Sequence, residues 1–318
     1  MRALYAYEHC CLCGRKCGVN RNRGETGFCG SSPQLRIAWA GLHYGEEPVI
    51  SGTGGSGTVF LAGCTLKCFF CQNHQLSSEA LGRDVSLREF EDICLMLQRK
   101  GAHNINLVTG TQFIPSLAEG IKNARKRRLH VPVVWNSSGY ESENSLPLLD
   151  EFVDIYLPDL KTLDSGLSTG IFGLSDYVLD APQAIKKMAA SRPLHYSDND
   201  ETILSSGVIV RHLVLPGLID NTRTVLEWFA SNMAGKALLS VMVQYTPTGR
   251  KNPHPVRGDW SRSITAAEYE IVLALLEDLD IVDGFVQELP EENLLPDFSR
   301  RNTFPHQLAE PFWFCGDF

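Results

Sequence analysis

Seven apolar, β-rich runs recur along the middle of the chain, at about 57–63, 104–109, 131–136, 153–160, 207–215, 239–246 and 282–287, and stretches of helical period lie between most of them. A strand followed by an amphipathic helix cannot fold back on the next strand as a hairpin; the crossover makes the two strands parallel. The alternation therefore predicts an α/β protein built from βαβ units. Short connections and right-handed crossovers leave two architectures, a doubly wound sheet or a barrel. Ser86, followed three residues later by Glu89, is a capping box that opens a helix near Leu87, with Ile93, Met96 and Leu97 on its apolar face. Thr265 and Glu268 repeat the device ahead of Tyr269, Val272, Leu273 and Leu276. Further helices are expected at about 116–127, at about 182–190, and after Asn221, where Val225, Phe229 and Met233 share one side. Residues 191–201 read as an exposed polar loop, residues 1–50 as a loop-rich first segment, and 51–57 as a Gly/Ser-rich connector or tight turn. Residues 290–318 are rich in proline and aromatics without a period, and read as an irregular tail packed across one end of the fold.

Of the 318 residues, 43% are hydrophobic and 21% charged, which excludes wholesale disorder. A formal charge of −8 argues against nucleic-acid binding and against an anionic membrane surface. No apolar run approaches the ~20 residues that span a bilayer, and the first eight residues have too short an apolar core for a signal peptide. The expectation is a cytoplasmic protein with no nucleic-acid or membrane partner.

The ten cysteines fall mostly into two groups. Disulfide scaffolds are short and spread their cysteines throughout, so this distribution points to metal or cluster ligation instead. The first group is Cys10-x2-Cys13-x3-Cys17-x11-Cys29, threaded with glycines that permit tight turns. Four thiolates at this spacing suit structural zinc or an iron–sulfur cluster equally, against the alternative of unligated thiols. Cys11 reads as a bystander that could exchange with Cys10, and His9 as a substitute ligand. The second group, Cys64-Thr-Leu-Lys-Cys68-Phe-Phe-Cys71, sits at the end of the first strong strand. Three thiolates on one short loop can reach three irons of a [4Fe–4S] cube and leave the fourth without a protein ligand, an arrangement suited to chemistry. The alternatives are zinc with His74 as fourth ligand, or free thiols. Cys94 reads as a core thiol, and Cys315 has no expected role.

The triplet, with aromatic Phe70 just before its third cysteine, resembles the signature of the radical S-adenosylmethionine (SAM) superfamily. Three further pieces are similar to the branch related to pyruvate formate-lyase activating enzyme, and they occur in its order. They are Gln72-Asn73-His74, a D-x-K motif at Asp159 and Lys161, and an arginine-to-Pro-Gly strand from Arg211 to Gly217, whose arginine contacts SAM in that branch. The resemblance covers about 52–290. It implies a partial parallel (β/α)6 TIM-type barrel over 51–289, flanked by the Cys-rich segment 1–50 and the tail 290–318. It also implies a [4Fe–4S] cluster on Cys64, Cys68 and Cys71, and SAM chelating the open iron. Reductive cleavage of SAM to a 5′-deoxyadenosyl radical would then abstract hydrogen from a protein, such as a glycyl-radical enzyme, or from a small molecule. A flavodoxin or ferredoxin would donate the electron.

Barrel sites are built at the C-terminal ends of the strands. Thr109, Asn136, Ser137, Asp159, Lys161, Gln244 and Gln287 occupy such ends, and His74, His103 and His212 read as near the same mouth. Where the branch has Gly-Gly-Glu to hold the SAM amino group, this chain has Thr109-Gly-Thr-Gln112, so backbone carbonyls or Thr109 and Thr111 are expected to substitute. Arg211 lies inside an apolar strand and must be paired or face a polar cavity; it grips SAM or forms an internal salt bridge, with Asp159 as the nearest candidate. Asp159 with Lys161 positions SAM or is a structural ion pair. Asn136, Ser137 and Gln244 are the remaining expected SAM contacts. The rival reading from a different class is a non-catalytic iron–sulfur or zinc protein for electron transfer or scaffolding. An H-E-x-x-H zinc hydrolase signature is missing from the sequence.

Overall fold

In the computed structural model of the chain, residues 2–290, 295–304 and 308–317 are described. The strands, in chain order, are β1 (Leu35–His43), β2 (Ser56–Leu61), β3 (Arg83–Val85), β4 (Ile105–Val108), β5 (Val133–Ser137), β6 (Ile155–Pro158), β7 (His195–Ser197), β8 (Asp200–Leu213), β9 (Leu238–Met242), β10 (Gly284–Val286) and β11 (Ala309–Phe314). Their order in the sheet is β10-β9-β8-β6-β5-β4-β2-β1-β11, with β3 beside β1 and β7 beside β8. From β2 to β10 every neighbouring pair is parallel, whereas β1 runs antiparallel to both β2 and β11. The two ends of this path, β10 and β11, do not pair. The molecule is thus an α/β open partial barrel with seven parallel strands, one for each apolar run.

Burial explains why these runs were readable. β2, β4 and β6 are buried along their whole length, as strands covered on both faces must be. The covering helices include Leu87–Arg99, Ile114–Lys126, Tyr177–Ser191, Ile219–Met233 and Ala266–Asp278. Both capping boxes are formed, each Ser or Thr hydroxyl accepting the N3 backbone N–H while the N3 Glu reaches back. Glu268 does more: it pairs with Arg262 and accepts the Gly217 N–H at 2.7 Å. Its carboxyl is held down to about 2, mainly by the Arg262 hydrogen bond. Thr265→Ala is expected to cost about 1 kcal/mol, read from urea unfolding; no loss would show that the cap contributes nothing.

Four sequence expectations change. The first segment is not all loop, because Leu35–His43 is a buried strand that Arg36 and its small residues disguise. The stretch 191–201 contains β7 and the start of β8, an exposed hairpin. The helix expected from 182 begins at Tyr177, so Pro182 lies inside it instead of opening it. The tail is not wholly irregular: β11 pairs with β1, and Pro311 is tolerated because an edge strand need not offer every N–H. Of that tail, residues 291–294, 305–307 and Phe318 lie outside the described residues, as does Met1. Among the described residues, no helix is long and apolar enough to cross a membrane.

Candidate functional site

A cavity of about 730 Å³ opens at the C-terminal ends of the parallel strands. Each strand delivers a wall as it ends: Cys64, Cys68 and Cys71 after β2, Thr109 after β4, Asn136 and Ser137 at the end of β5, and Asp159 and Lys161 after β6. Arg211 comes from β8, Gln244 follows β9 and Gln287 follows β10. All three cysteines of the triplet and all seven polar residues expected to touch SAM therefore face one space.

The triplet loop leaves β2 through Gly63, whose backbone is left-handed (φ 83°); a Cβ there would stand 2.6 Å from Ser31 Oγ. The Cys71 N–H then closes a turn onto Cys68 O at 3.1 Å. Phe70 stacks on Trp260 (ring centroids 5.4 Å, 12° between planes), and Phe69 meets the same indole edge-on at 4.7 Å. Gln72 donates to Gln244 O at 2.7 Å, tying the loop to the far side of the cavity. Burial pushes the Cys68 and Cys71 thiols above their ordinary values. Left free they would stay protonated at neutral pH, whereas a bound metal ionises such groups.

Thr109 adopts a left-handed backbone (φ 61°) and donates its N–H to Asn136 O. The carbonyls expected to replace Gly-Gly-Glu are already engaged: Gln112 Nε2 donates to Ala62 O, Gly63 O and Thr109 O. Thr111 donates to Glu141 Oε1 at 2.8 Å, leaving its hydroxyl lone pairs as acceptors on the cavity wall. Lys161 Nζ pairs with Asp159. Burial pulls against the ammonium, but the adjacent Asp159 carboxylate outweighs it and raises the Lys161 pKa. The Tyr177 hydroxyl stands 2.9 Å from Asp159 O and 3.0 Å from Ser138 O, and accepts the Lys161 N–H at 3.1 Å.

Arg211 is not paired with Asp159. Their backbones are neighbours, but the guanidinium turns to Glu47, with Nε to Oε1 at 2.7 Å and Nη2 to Oε2 at 2.6 Å, and also binds Glu46. Burial disfavours the charges of Arg211 and Glu47. Against it, the two carboxylates raise the Arg211 pKa and Arg211 lowers that of Glu47. Glu46 and Glu47 line the cavity and were missed from the sequence. The available signal was Arg211 itself, a cation that demanded a carboxylate without saying which.

The histidines also move. His74 pairs with Glu79, His103 accepts the Gly54 N–H, and His212 is buried between Leu160 O and Thr222. None of the three lines the cavity; His43 does. Burial pushes His212 down to about 4 from 6.5. Its imidazole is neutral when folded and becomes charged when unfolded, so its share of stability is complete above pH 6.5 and is lost as pH falls toward 4. That share is about 3 kcal/mol. Urea midpoints of wild type and His212→Gln, compared between pH 7 and pH 4.5, should show a smaller acid loss in the variant; equal losses would dismiss His212 as the source.

Cys10, Cys13, Cys17 and Cys29 line a second cavity of about 20 Å³, which Cys11 does not touch. Among the described residues, no three His, Cys, Asp or Glu side chains stand close enough together to hold a single ion, and this is true of both cysteine groups.

Residues 58–192 match the Radical SAM superfamily. An uncharacterized protein of Methanocaldococcus jannaschii is 30% identical over 285 residues, which are 87% of this chain and 77% of that relative. Among solved structures, Streptococcus suis SuiB bound to precursor peptide SuiA aligns with a TM-score of 0.49 at 12% identity, over 72% of this chain and 47% of that one. The chain therefore spans about half of SuiB's length. A domain of pyruvate-formate lyase-activating enzyme from Bacteroides vulgatus aligns with a TM-score of 0.39 at 10% identity, over 56% of this chain and 92% of that one.

Proposed function

This chain belongs to the radical SAM superfamily, and from that premise we propose an enzyme that cleaves SAM reductively in the cavity at the strand ends, with Cys64, Cys68 and Cys71 holding its [4Fe–4S] cluster. The observation that carries this reading is the convergence of three thiols from one loop with polar residues from the ends of β4, β5, β6, β8 and β9 in a single cavity. Three thiols can reach three irons of a cube and leave one iron for a ligand. Bound there and reduced, such a cluster would supply the one electron for reductive cleavage of SAM to methionine and a 5′-deoxyadenosyl radical able to abstract hydrogen from the substrate.

The chain's own residues bind and orient. Two carboxylates facing one guanidinium leave the Glu46–Glu47–Arg211 group with one negative charge, complementary to the net positive charge of SAM. With Arg211 committed to these carboxylates, Lys161, itself paired with Asp159, has ammonium hydrogens to spare for the SAM carboxylate beside Cys68. Thr109, Thr111, Asn136 and Ser137 offer hydrogen bonds to the amino group and ribose, and Gln244 with Tyr245 faces the adenosyl end. Phe69, Phe70 and Trp260 form a dry wall behind the triplet, which protects a reactive radical from water. The electron comes from a flavodoxin or ferredoxin. The hydrogen donor is a protein, such as a glycyl-radical enzyme, or a small molecule.

The test is purification without oxygen, reduction with dithionite, addition of SAM, and chromatographic detection of 5′-deoxyadenosine. Its formation in proportion to protein is expected. Intact SAM in a sample fully loaded with iron would overturn the reading.

A further inference from the structure

Phe28 stands at the surface with 40% of its area exposed, and two cations share its ring. The Arg15 guanidinium carbon lies 3.2 Å from the ring centroid and Lys67 Nζ 5.1 Å from it. Arg15 is fixed by its Nε donating to Thr65 O at 2.6 Å and its Nη2 to Phe172 O at 3.1 Å, which leaves Nη1 outside both bonds. Among the described residues neither cation is paired with a carboxylate. After burial, the groups that act most on the Arg15 charge are Tyr140, Cys13, Cys17 and Cys64. Lys16, the next residue, faces Asp180 and Glu143 instead. Aromatic rings and arginines are enriched where proteins meet, and this ring sits among positive charges that no carboxylate answers.

The patch lies on the outside of the triplet loop. Leu66 and Cys68 line the large cavity, whereas Lys67 between them lines neither cavity. A partner seated on Phe28 and Lys67 is therefore separated from Cys64 and Cys68 by the thickness of this loop. It cannot present an atom to a radical formed inside the cavity, so the patch is no place for the hydrogen donor. It can pass an electron, because that transfer needs closeness and no bond.

Charge selects the partner. The chain carries −8 overall, so an acidic protein is repelled by the molecule as a whole and drawn only to places where uncompensated cations gather. The denser basic run at 122–128 does not offer one beside the triplet. Arg125 pairs with Asp154 and Arg127 with Glu91 and Asp92, and its helix leads into the start of β5, at the opposite end of the strands.

We propose that Phe28, Arg15 and Lys67 form the docking surface for an acidic one-electron carrier protein, which reduces the triplet's cluster through the loop. The carrier is oxidised by one electron and the cluster reduced by one; no bond forms or breaks and no proton moves. The purpose of the surface rests on the proposed role of the triplet, but its binding is read separately.

The test is calorimetric titration of the full chain, purified without oxygen, with a strongly acidic flavodoxin and with an acidic ferredoxin, at low and high salt. Wild type should bind at least one of them, and more weakly as salt rises. Lys67→Glu and Phe28→Ala should each weaken that binding at least about fivefold. Lys236→Glu makes the same change of net charge just before β9, at the opposite end of the strands, and should alter it less than about twofold. No binding of either carrier to wild type, or equal affinity in Lys67→Glu and Lys236→Glu, overturns the surface. If Lys67→Glu does not fold, Phe28→Ala decides. Formation of 5′-deoxyadenosine is then followed with each reductant. In Lys67→Glu the carrier concentration giving half the maximal rate should rise at least about fivefold, while the rate with dithionite, which needs no docking, stays at the wild-type value. An equal loss with both reductants would place Lys67 in the chemistry of the triplet and overturn the surface. Carrier binding that follows these variants while dithionite leaves SAM intact would sink the reading of the triplet and leave the surface standing.

Discussion

In the C64A/C68A/C71A variant, formation of 5′-deoxyadenosine is expected to fall to the level of a protein-free control. In the proposed function the three sulfurs are the cluster's protein ligands, and among the described residues no other cysteine lines the large cavity. The fold should survive, because the loop is anchored by other means: Phe69 and Phe70 pack on Trp260, and Gln72 holds Gln244 O. Chromatography after dithionite reduction, with circular dichroism as the folding control, checks both halves. SAM cleavage above the control in this variant would move the chemistry away from the triplet.

Arg211→Met should destabilise the protein by about 3–5 kcal/mol, the cost of breaking a buried pair by removing one partner. The variant leaves Glu46 and Glu47 enclosed without their cation, and protonation is then the easiest relief. Loss should therefore be greatest at neutral pH and shrink in acid. In wild type the sign is opposite: Arg211 lowers the Glu47 pKa, so that contribution holds above the unfolded carboxyl value and disappears as pH falls through the folded one. The triple variant E46Q/E47Q/R211M should recover most of the loss, since neutral amides remove the uncompensated charge. A loss below about 1 kcal/mol in Arg211→Met, typical of an exposed pair, would show that the network is open to water.

These two groups also mark what a sequence can and cannot disclose. The triplet is local: three cysteines within eight residues announce themselves, and the strand before them reads as a continuous apolar run because both its faces are covered. Arg211 was half legible. Its position among Val208, Ile209, Val210 and Leu213 required a partner, but Glu46 and Glu47 lie some 165 residues earlier in the chain and no spacing rule connects them. Asp159 was the nearer guess, and its backbone does lie beside Arg211, yet Lys161 two residues on claims its carboxylate. Gln112 was read only as a departure from a motif; its three carbonyl contacts exist because the ends of β2 and β4 meet in space. β11 was hidden by Pro311, which a central strand would exclude and an edge strand accepts.

β11 has a consequence for the order in which the molecule is made. Its partner β1 lies near the start of the chain, and Trp39 must wait for Phe314 before that edge is covered. Ribosomes deliver the N-terminal part first, so throughout synthesis β1 presents bare N–H and C=O groups, the condition in which edges recruit foreign strands. Pro296, Phe304 and Leu308, which complete one wall of the large cavity, arrive in the same late stretch. A nascent chain that has not yet reached this stretch therefore carries its triplet cysteines in a half-built, laterally open bowl, and the arrival of these residues both covers the edge and closes that wall.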